Sequence, residues 1–401
     1  MPKKTVESLD VAGKRVLIRV DFNVPMDGTS IADDRRIRAA IPTIKSVIER
    51  GGRAVLMSHL GRPKGEGFEE RLSLAPVAAR LGELLNKPVA FPSHDCVDAD
   101  AANAVASMGD GDVLLLENLR FNAGEKAGDL GFAAKLAAYG DAYVNDAFGA
   151  CHRSDASMVG LPTEMGAKPR VVGLLVEKEL SFLSGALAQP QRPFVVVLGG
   201  AKVSDKIGAI EKLMPNADAI LIGGAMAYTF IKALGHNVGT SRVEEDRVAD
   251  AHRMIEQAAN TGVDLHLPSD HVCSTAFTED AGDIEVFDDE IKDGYMGLDI
   301  GPKTQIKYAS VISGAKTIVW NGPMGVFEWA PFRVGTKMVG TAIADATDSG
   351  ATTIVGGGDS AAAVDEFKLG DRMSHVSTGG GASLQMLEGR PFKALELIED
   401  A

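Results

Sequence analysis

One pattern recurs along the whole chain of 401 residues. A short apolar run, often β-branched, ends in a glycine or polar residue and leads into an amphipathic stretch. The runs do not alternate strictly, which is typical of strands buried on both faces. Strands that alternate with helices predict parallel sheets with right-handed crossovers. We therefore predict an α/β protein with strands at Val16–Val20, Ala54–Met57, Val113–Leu116, Ala142–Val144, Phe194–Leu198, Ala219–Ile222, Leu265–Leu267, Thr317–Trp320, Thr352–Val355 and His375–Ser377.

A long apolar stretch in the middle of the chain suggests how the domains are divided. Residues 171–187, VVGLLVEKELSFLSGAL, carry apolar side chains at helical spacing, and two prolines, Pro190 and Pro193, follow. Because proline ends helices, this pattern predicts a long helix and then a linker. We predict a first domain at 1–172, a hinge helix at 173–189 and a second domain at 190–383.

The overall charge and the cysteines limit the class of protein. The net charge of −14 is unlike that of a nucleic-acid-binding protein. No apolar run approaches the roughly 18 residues of a membrane-spanning helix, and the N-terminus lacks the apolar core of a secretory signal. The three cysteines, Cys96, Cys151 and Cys273, lack metal-binding spacing and predict free thiols in a reducing compartment. The expectation is a cytoplasmic protein.

Basic side chains follow the predicted strands of the first half. They are Arg36, His59, Arg62, Arg120, His152 and Arg153. Ligands of open α/β sheets bind beyond the carboxyl ends of the strands, and arginine suits phosphate and carboxylate. For any single arginine a surface salt bridge is the better interpretation, but the whole set favours a pocket for a small anion. Asp21 and Asn23 would receive a substrate hydroxyl or orient an arginine.

Glycine-rich turns and two lysines follow the strands of the second half. Gly199-Gly200-Ala201-Lys202 leads to Lys206, and we expect the two lysines on one face of an opening helical turn, with an anion between them. An ordinary strand–helix turn is an equal alternative for this motif alone. Gly223-Gly224 suggests either a flat base against the backbone or a tight packing contact. Glu328 would bind a ribose.

Two triple-glycine turns at successive strand ends strengthen the prediction of a phosphate site. Gly356–Ala361 fits the dinucleotide pattern G-x-G-x-x-A, but its Asp359 and Ser360 favour a phosphate at a helix N-terminus with Mg²⁺ on Asp359. Gly379–Gly381 adds backbone N–H groups. No nucleophile with an adjacent base stands out, which fits phosphoryl transfer by positioning and charge neutralisation.

An ordered set of motifs resembles the phosphoglycerate kinase family, in its bacterial type, from about residue 4 to 401. The motifs are RVDFNVP, SHLGRP, LLLENLRF, FGACHR, GGAKVSDKI, GLDIGPKT, WNGPMGVFE, GGGDS and STGGGASL. The resemblance implies two Rossmann-like three-layer α/β/α domains and a monomer whose tail, 384–401, returns to the first domain. It also implies Mg²⁺-dependent transfer of the acyl phosphate of 1,3-bisphosphoglycerate to ADP, giving ATP and 3-phosphoglycerate.

The same resemblance implies a role for individual residues. Phosphoglycerate would be bound by Asp21, Phe22, Asn23, Arg36, His59, Leu60, Gly61, Arg62, Arg120, His152 and Arg153. Nucleotide would be bound by Gly200, Lys202, Lys206, Gly223, Gly224, Gly297, Leu298, Glu328, Gly357, Gly358, Asp359 and Ser360, with Asp359 on the metal. Catalysis would fall to Arg36, Lys202, Gly380 and Gly381.

Two positions depart from the family pattern. Asp155 replaces a histidine beside the basic residues and should lower the local potential, which bears on substrate affinity and pH profile. Gln385 replaces a frequent glutamate, on an expected solvent-facing position. Two other functions stay open: a non-catalytic binding protein of the same fold, which intact Arg36, Lys202 and Asp359 disfavour, and an NAD-dependent dehydrogenase, disfavoured by the late position of the glycine motif.

Overall fold

The computed structural model describes residues 2–401, and these divide into two compact units. The first unit runs to Ser181 and takes in Pro391–Ala401, and the second is Phe182–Arg390. The domain limits predicted from the sequence, 172 and 190, lie on either side of this division, and the predicted returning tail begins at 384. Ion pairs attach the tail to the start of the chain, since Lys3 Nζ lies 2.8 Å from Asp400 Oδ1.

Each unit contains a six-stranded sheet in which all paired strands are parallel. The strands are β1 Arg15–Val20, β2 Met26–Asp27, β3 Ser30–Ile31, β4 Arg53–Met57, β5 Val89–Ala90, β6 Val113–Leu115, β7 Ala142–Asp146, β8 Arg170–Val172, β9 Phe194–Leu198, β10 Ala219–Ile222, β11 Asp264–His266, β12 His271–Ser274, β13 Ile284–Phe287, β14 Met296–Ile300, β15 Thr317–Asn321, β16 Thr352–Gly356 and β17 His375–Val376. The order is β5-β6-β4-β1-β7-β8 in the first unit and β11-β10-β9-β15-β16-β17 in the second.

Helices connect most of these strands, as parallel pairing requires. They are α1 Arg35–Ile48, α2 Ala75–Leu85, α3 Ala99–Ala106, α4 Ala123–Ala127, α5 Leu130–Ala137, α6 Leu161–Glu164, α7 Leu174–Ala188, α8 Ile207–Leu213, α9 Ala227–Ala233, α10 Val248–Thr261, α11 Pro302–Ser313, α12 Val334–Asp348, α13 Gly358–Glu366, α14 Gly381–Leu387 and α15 Lys393–Glu396. None of the helices within residues 2–401 combines the length and apolarity needed to cross a bilayer.

The central strands are buried on both faces, which explains their continuous apolar sequences. In β1, Val16, Ile18 and Val20 belong to one core cluster, while Leu17 on the opposite face is equally buried. In the second unit Trp320 of β15 is fully buried in the corresponding core. Covering both faces of a sheet requires helices on both sides, so the predicted α/β class is confirmed.

The structure differs from the sequence predictions in several places, and strands β2, β3 and β5 were not predicted. All ten predicted strands are present, with ends displaced by at most two residues. The helix predicted at 173–189 is found at Leu174–Ala188, but Val171 and Val172 at the start of the same apolar segment are not helical. Arg170–Val172 instead pairs with β7 as an edge strand. The antiparallel sheet β13-β12-β14 was not predicted, because its segments lack the rhythm of the parallel strands.

Candidate active site

Several basic side chains of the first unit lie close together at the carboxyl edge of its sheet. His59 follows β4, and burial together with the guanidinium groups of Arg19, Arg120, Arg153 and Arg36 lowers its pKa. Burial is the larger cause of that shift, which leaves the imidazole neutral. The strand ends therefore gather cations in a protein of net charge −14.

Asp21 and Asn23 organise this edge through hydrogen bonds. Arg36 Nη1 donates to Asp21 Oδ2 at 2.9 Å and to the Asn23 carbonyl at 3.2 Å. The side-chain oxygen of Asn23 accepts from Gly61 N at 2.8 Å. Of the two roles considered for Asp21, orienting an arginine is the one that the geometry displays.

Arg120 is buried and faces both a carbonyl and a carboxylate. Its Nη1 donates to the Gly61 carbonyl at 2.9 Å, and its Nη2 lies 3.5 Å from Asp155 Oδ2. Burial and the nearby Arg153 lower the pKa of Arg120, and Asp155 opposes them. The residue that departs from the family pattern thus lies inside the basic cluster and neutralises part of its charge.

Arg62 and Arg153 carry no ion pair among residues 2–401, and the former is exposed while the latter is half-buried. His152 is also half-buried, and burial followed by Arg153 lowers its pKa. Phe22 and Leu60 differ from these side chains, because both are buried in the core. Only their backbone groups can face a ligand.

A cavity of about 220 Å³ lies where several strands of the second unit end. Three glycine-rich turns, both predicted lysines and Asn321 surround it. The lining residues are Gly199, Gly200, Ala201, Lys202, Asp205, Lys206, Asn321, Gly322, Gly357, Gly358, Asp359, Ser360, Gly380, Gly381 and Leu384. Helix α13 begins at this cavity, so its N-terminal N–H groups add positive potential.

The two lysines meet at the cavity but not on a helix, so the helical expectation was wrong. Helix α8 begins at Ile207, and Lys202 and Lys206 occupy the turn before it. Lys206 Nζ donates to Asn321 Oδ1, and burial lowers the pKa of Lys206 against the opposing effect of nearby carboxylates. Lys202 is exposed.

A second cavity, of about 450 Å³, adjoins the first and shares Gly200, Ala201 and Asp359 with it. Backbone and apolar side chains form most of its wall, and Glu328 lines it as an exposed carboxylate. Its lining comprises Gly200, Ala201, Gly224, Ala225, Thr240, Arg242, Phe277, Met296, Gly297, Leu298, Pro323, Gly325, Val326, Glu328 and Asp359. A polar, glycine-rich cavity beside an apolar one matches the two ends of a nucleotide.

Close packing explains two glycines of this wall, one against backbone and one against a side chain. Gly224 has φ +67°, and a Cβ there would lie 2.5 Å from Gly200 N. A Cβ on Gly297 would lie 1.8 Å from Tyr228 Oη. The loops after β9 and β10 therefore approach each other more closely than any side chain would allow.

The comparisons with known proteins agree across the chain. The family model for phosphoglycerate kinase matches residues 6–390. Proteins named phosphoglycerate kinase from Rhodopirellula baltica and Clostridium tetani are 58% and 52% identical, covering 100% and 99% of this chain and 100% and 98% of their own. The chain belongs to the phosphoglycerate kinase family. A solved phosphoglycerate kinase from Coxiella burnetii matches with a TM-score of 0.88 and 40% identity, covering 99% of this chain and 98% of its own.

The resemblance drawn from the motifs is thereby confirmed, and membership in the phosphoglycerate kinase family supports a kinase of glycolysis. A second solved phosphoglycerate kinase, from Pyrococcus horikoshii, gives a TM-score of 0.84 at 33% identity and covers 98% of both chains. Its lower identity with a similar TM-score indicates that the fold persists while the sequence diverges.

Not every residue of the phosphoglycerate kinase motifs lies where the sequence predicted it. Gly223 is not part of either cavity wall, and a Cβ there would meet Met324 Sδ at 2.4 Å, which supports the packing alternative. The Ser360 hydroxyl accepts from Gly322 N at 2.6 Å. Gln385 is half-buried in α14 and does not lie on an open surface.

Other lining residues were missed by the sequence analysis. Thr240, Arg242 and Phe277 come from loops that do not directly follow a predicted strand, so the strand-end rule did not point to them. Asn321 was visible, since it opens the motif NGPMG directly after a predicted strand, but its contact with Lys206 joins residues 115 positions apart. Such a contact becomes apparent only once the fold is known.

Proposed function

We propose that the protein catalyses the reversible transfer of the acyl phosphate of 1,3-bisphosphoglycerate to ADP, which gives ATP and 3-phosphoglycerate. The bond between phosphorus and the carboxyl oxygen breaks, and a bond between phosphorus and a β-phosphate oxygen of ADP forms. The observation that carries the proposal is the pair of adjoining cavities, one lined by two lysines and glycine-rich turns and the other largely apolar.

In this proposal the second unit binds the nucleotide. The base occupies the apolar cavity beside Gly224, Gly297 and Leu298, and Glu328 accepts hydrogen bonds from the ribose hydroxyls. The phosphates occupy the smaller cavity, where Lys206 and the N–H groups at the start of α13 face them. The partly desolvated ammonium of Lys206 gains most from an anionic partner, because burial has weakened its hydration.

The same cavity suits a Mg²⁺ ion that arrives with the nucleotide. Within residues 2–401 no group of three or more His, Cys, Asp or Glu side chains could form a protein-only metal site. Mg²⁺ in kinases is held by phosphate oxygens, waters and one or two carboxylates, and Asp359 lines the phosphate cavity. We propose that Asp359 binds the ion, which would neutralise phosphate charge.

The basic strand ends of the first unit bind phosphoglycerate in this proposal. Arg62 and Arg153 supply guanidinium groups that have no ion pair among the described residues. Arg36 is held toward the ligand by Asp21, and Arg120 is held by the Gly61 carbonyl. A doubly anionic head group and a carboxylate would each find a planar donor fork there.

Catalysis rests on charge neutralisation without a covalent enzyme intermediate. Lys202 follows the phosphoryl group in flight, Arg36 approaches it from the phosphoglycerate side, and the N–H groups of Gly380 and Gly381 face the developing charge. Such preorganised donors act most strongly where water is excluded. We therefore propose that the units close over the substrates, with α7 as the hinge, and that the enzyme works as a cytoplasmic monomer.

The test is a coupled assay of ATP-dependent turnover of 3-phosphoglycerate by the purified chain, with Mg²⁺ and with excess chelator. Turnover is expected only with Mg²⁺, and Asp359→Asn should raise the Mg²⁺ concentration needed for half-maximal rate. Asp371→Asn, an exposed aspartate of the same unit outside both cavities, is the matched control. Binding of ADP without any turnover would contradict the proposal in favour of a non-catalytic protein, and protection by NAD but not ADP would favour a dehydrogenase.

A further inference from the structure

A buried chain of hydrogen bonds connects Glu125 to His59 beneath the basic strand ends. Ser157 Oγ donates to Glu125 Oε1 at 2.5 Å, and Ser157 N donates to Glu125 Oε2 at 2.9 Å. Arg19 Nε donates to Ser157 Oγ at 2.8 Å, and Arg19 Nη2 lies 3.1 Å from His59 Nδ1. All four residues are at most 1% exposed, so solvent competes with none of these bonds.

Arg19 is held in a single orientation by this chain. Its Nη1 donates to the Val20 carbonyl, its Nε to Ser157 and its Nη2 to His59. A buried guanidinium needs polar partners, and the Ser157 hydroxyl that accepts from Arg19 donates in turn to Glu125. Burial raises the pKa of Glu125, and Arg19 opposes that effect. Arg19 Nη2 faces the ring of His59, so the route from Arg19 to the ligand site runs through His59.

The chemistry of the guanidinium decides which nitrogen of His59 carries the proton. Arginine has donors only and keeps its charge, so the ring nitrogen that faces it must be an acceptor. Nδ1 of His59 is that nitrogen, and the proton of the neutral ring is therefore on Nε2. Nε2 is enclosed and finds no hydrogen-bond partner among the residues that the structure describes.

The surroundings also keep the ring from becoming an additional cation. Arg19 on β1, Arg120 after β6, Arg153 after β7 and Arg36 on α1 are the charged groups that face His59, and all are positive. Burial and these charges lower its pKa well below the ordinary value of 6.5. His59 thus differs from the arginines as a neutral donor.

We propose that Arg19, held by Ser157 and Glu125, is a positioning residue that fixes His59 as the neutral Nε2–H tautomer, so that His59 donates a hydrogen bond to an anionic oxygen of phosphoglycerate. The opposite tautomer would present a lone pair to the anion and repel it. The role of the ligand rests on the proposed function, whereas the tautomer follows from the hydrogen bonds of the first unit alone.

The first experiment is ¹⁵N NMR of the full chain labelled in histidine, with His59 assigned from the resonances lost in His59→Gln. At pH 7 the expected His59 spectrum has an unprotonated Nδ1 and a protonated Nε2. Added 3-phosphoglycerate should shift the Nε2–H resonance of His59 but not the resonances of exposed His252. A protonated Nδ1 or a doubly protonated ring in the wild type would overturn the assignment.

Variants connect the tautomer to substrate binding. Arg19→Gln offers an amide oxygen that can accept from Nδ1–H, so we expect a mixture of tautomers and a KM for 3-phosphoglycerate raised about tenfold, with a smaller change in kcat. Arg19→Lys, which keeps a donor-only cation, should retain the wild-type tautomer. A Gln variant with the wild-type tautomer and KM would contradict the positioning role.

A gentler pair keeps the inference testable if Arg19 variants do not fold. Ser157→Ala removes the hydroxyl between Glu125 and Arg19, and Ser73→Ala removes a comparable buried contact, 2.7 Å from Glu117, in the same unit. Ser157→Ala should shift the His59 resonances and raise the KM several-fold, and Ser73→Ala should change neither. If Ser157→Ala and Ser73→Ala changed the KM equally and left the His59 resonances unaltered, the hydrogen bonds from Glu125 to His59 would have only a structural role.

The two proposals fail in different ways. Turnover of 3-phosphoglycerate together with the wrong His59 tautomer would overturn this inference and leave the proposed function intact. The expected tautomer without binding or turnover of 3-phosphoglycerate would overturn the proposed function and, with it, the ligand assigned to His59.

Discussion

Replacing Asp299 by asparagine should remove a strong pH dependence from the stability of the second unit. Asp299 lies at the end of β14 and is 2% exposed. Its Oδ2 accepts from Gly335 N at 2.6 Å in the first turn of α12, and its Oδ1 accepts from Ile300 N at 2.9 Å. Burial outweighs these bonds and raises the pKa of Asp299 from 3.8 to about 8.

The sign follows from which state holds the proton. Between pH 3.8 and about 8 the folded state keeps the Asp299 proton and the unfolded state does not, so the free energy of unfolding falls as pH rises. Each pH unit in this window costs about 1.4 kcal/mol, so raising the pH from 6 to 8 costs roughly 2–3 kcal/mol. Asparagine keeps an oxygen acceptor and does not ionise, so the variant should not incur that loss.

Urea unfolding followed by tryptophan fluorescence measures this difference, because both tryptophans, Trp320 and Trp329, belong to the second unit. Between pH 6 and pH 8, the free energy of unfolding of the wild type should fall by roughly 2–3 kcal/mol more than that of Asp299→Asn. Asp280→Asn, an exposed aspartate of the same unit, controls for the change in net charge. A wild-type-to-variant difference that is the same at both pH values would refute the assignment of a buried, protonated carboxyl.

Three further predictions follow from individual contacts. Asp155→Asn removes the carboxylate that lies 3.5 Å from the guanidinium of Arg120, so the KM for 3-phosphoglycerate should fall about tenfold. An unchanged or higher KM would show that Asp155 does not neutralise the charge that binds the substrate. Gly297→Ala should destabilise the second unit by about 2 kcal/mol or more through its clash with Tyr228, with partial rescue by Tyr228→Leu, measured by urea unfolding. The three cysteines are buried and their thiol pKa values are raised by burial, so iodoacetamide at pH 8 should label them only in the unfolded chain, as mass spectrometry would detect.

The sequence predicted the parallel sheets well because a strand buried on both faces needs a continuous apolar run. The prediction was wrong where a strand is followed directly by a helix and no polar residue separates them. Arg170–Val172 and α7 read as one apolar segment, and only pairing with β7 separates them. The antiparallel sheet β13-β12-β14 was missed. In β13 the exposed Ile284 and Val286 give no buried pattern, and β12 and β14 are mostly buried but lack the strand–helix rhythm of the parallel strands.

The candidate site was predictable where chemistry lies at strand ends. The carboxyl-edge rule brought attention to His59 and Arg120 before their contacts were known. Arg19 was not predicted as a site residue, because an arginine inside an apolar strand gives no indication of what it faces. Its partner Ser157 lies 138 residues away, and no local pattern encodes a pairing of that length.

A coupled assay of 3-phosphoglycerate turnover with ATP and Mg²⁺, on the wild type and on Lys202→Ala, tests whether the protein is a kinase and whether Lys202 acts in the reaction. The control is Lys337→Ala, an exposed lysine of α12 outside both cavities. We expect turnover by the wild type, a fall in kcat of about 100-fold or more in Lys202→Ala, and little change in the control. Turnover that Lys202→Ala leaves unaltered would contradict the role of Lys202, and no turnover by the wild type would contradict the account as a whole.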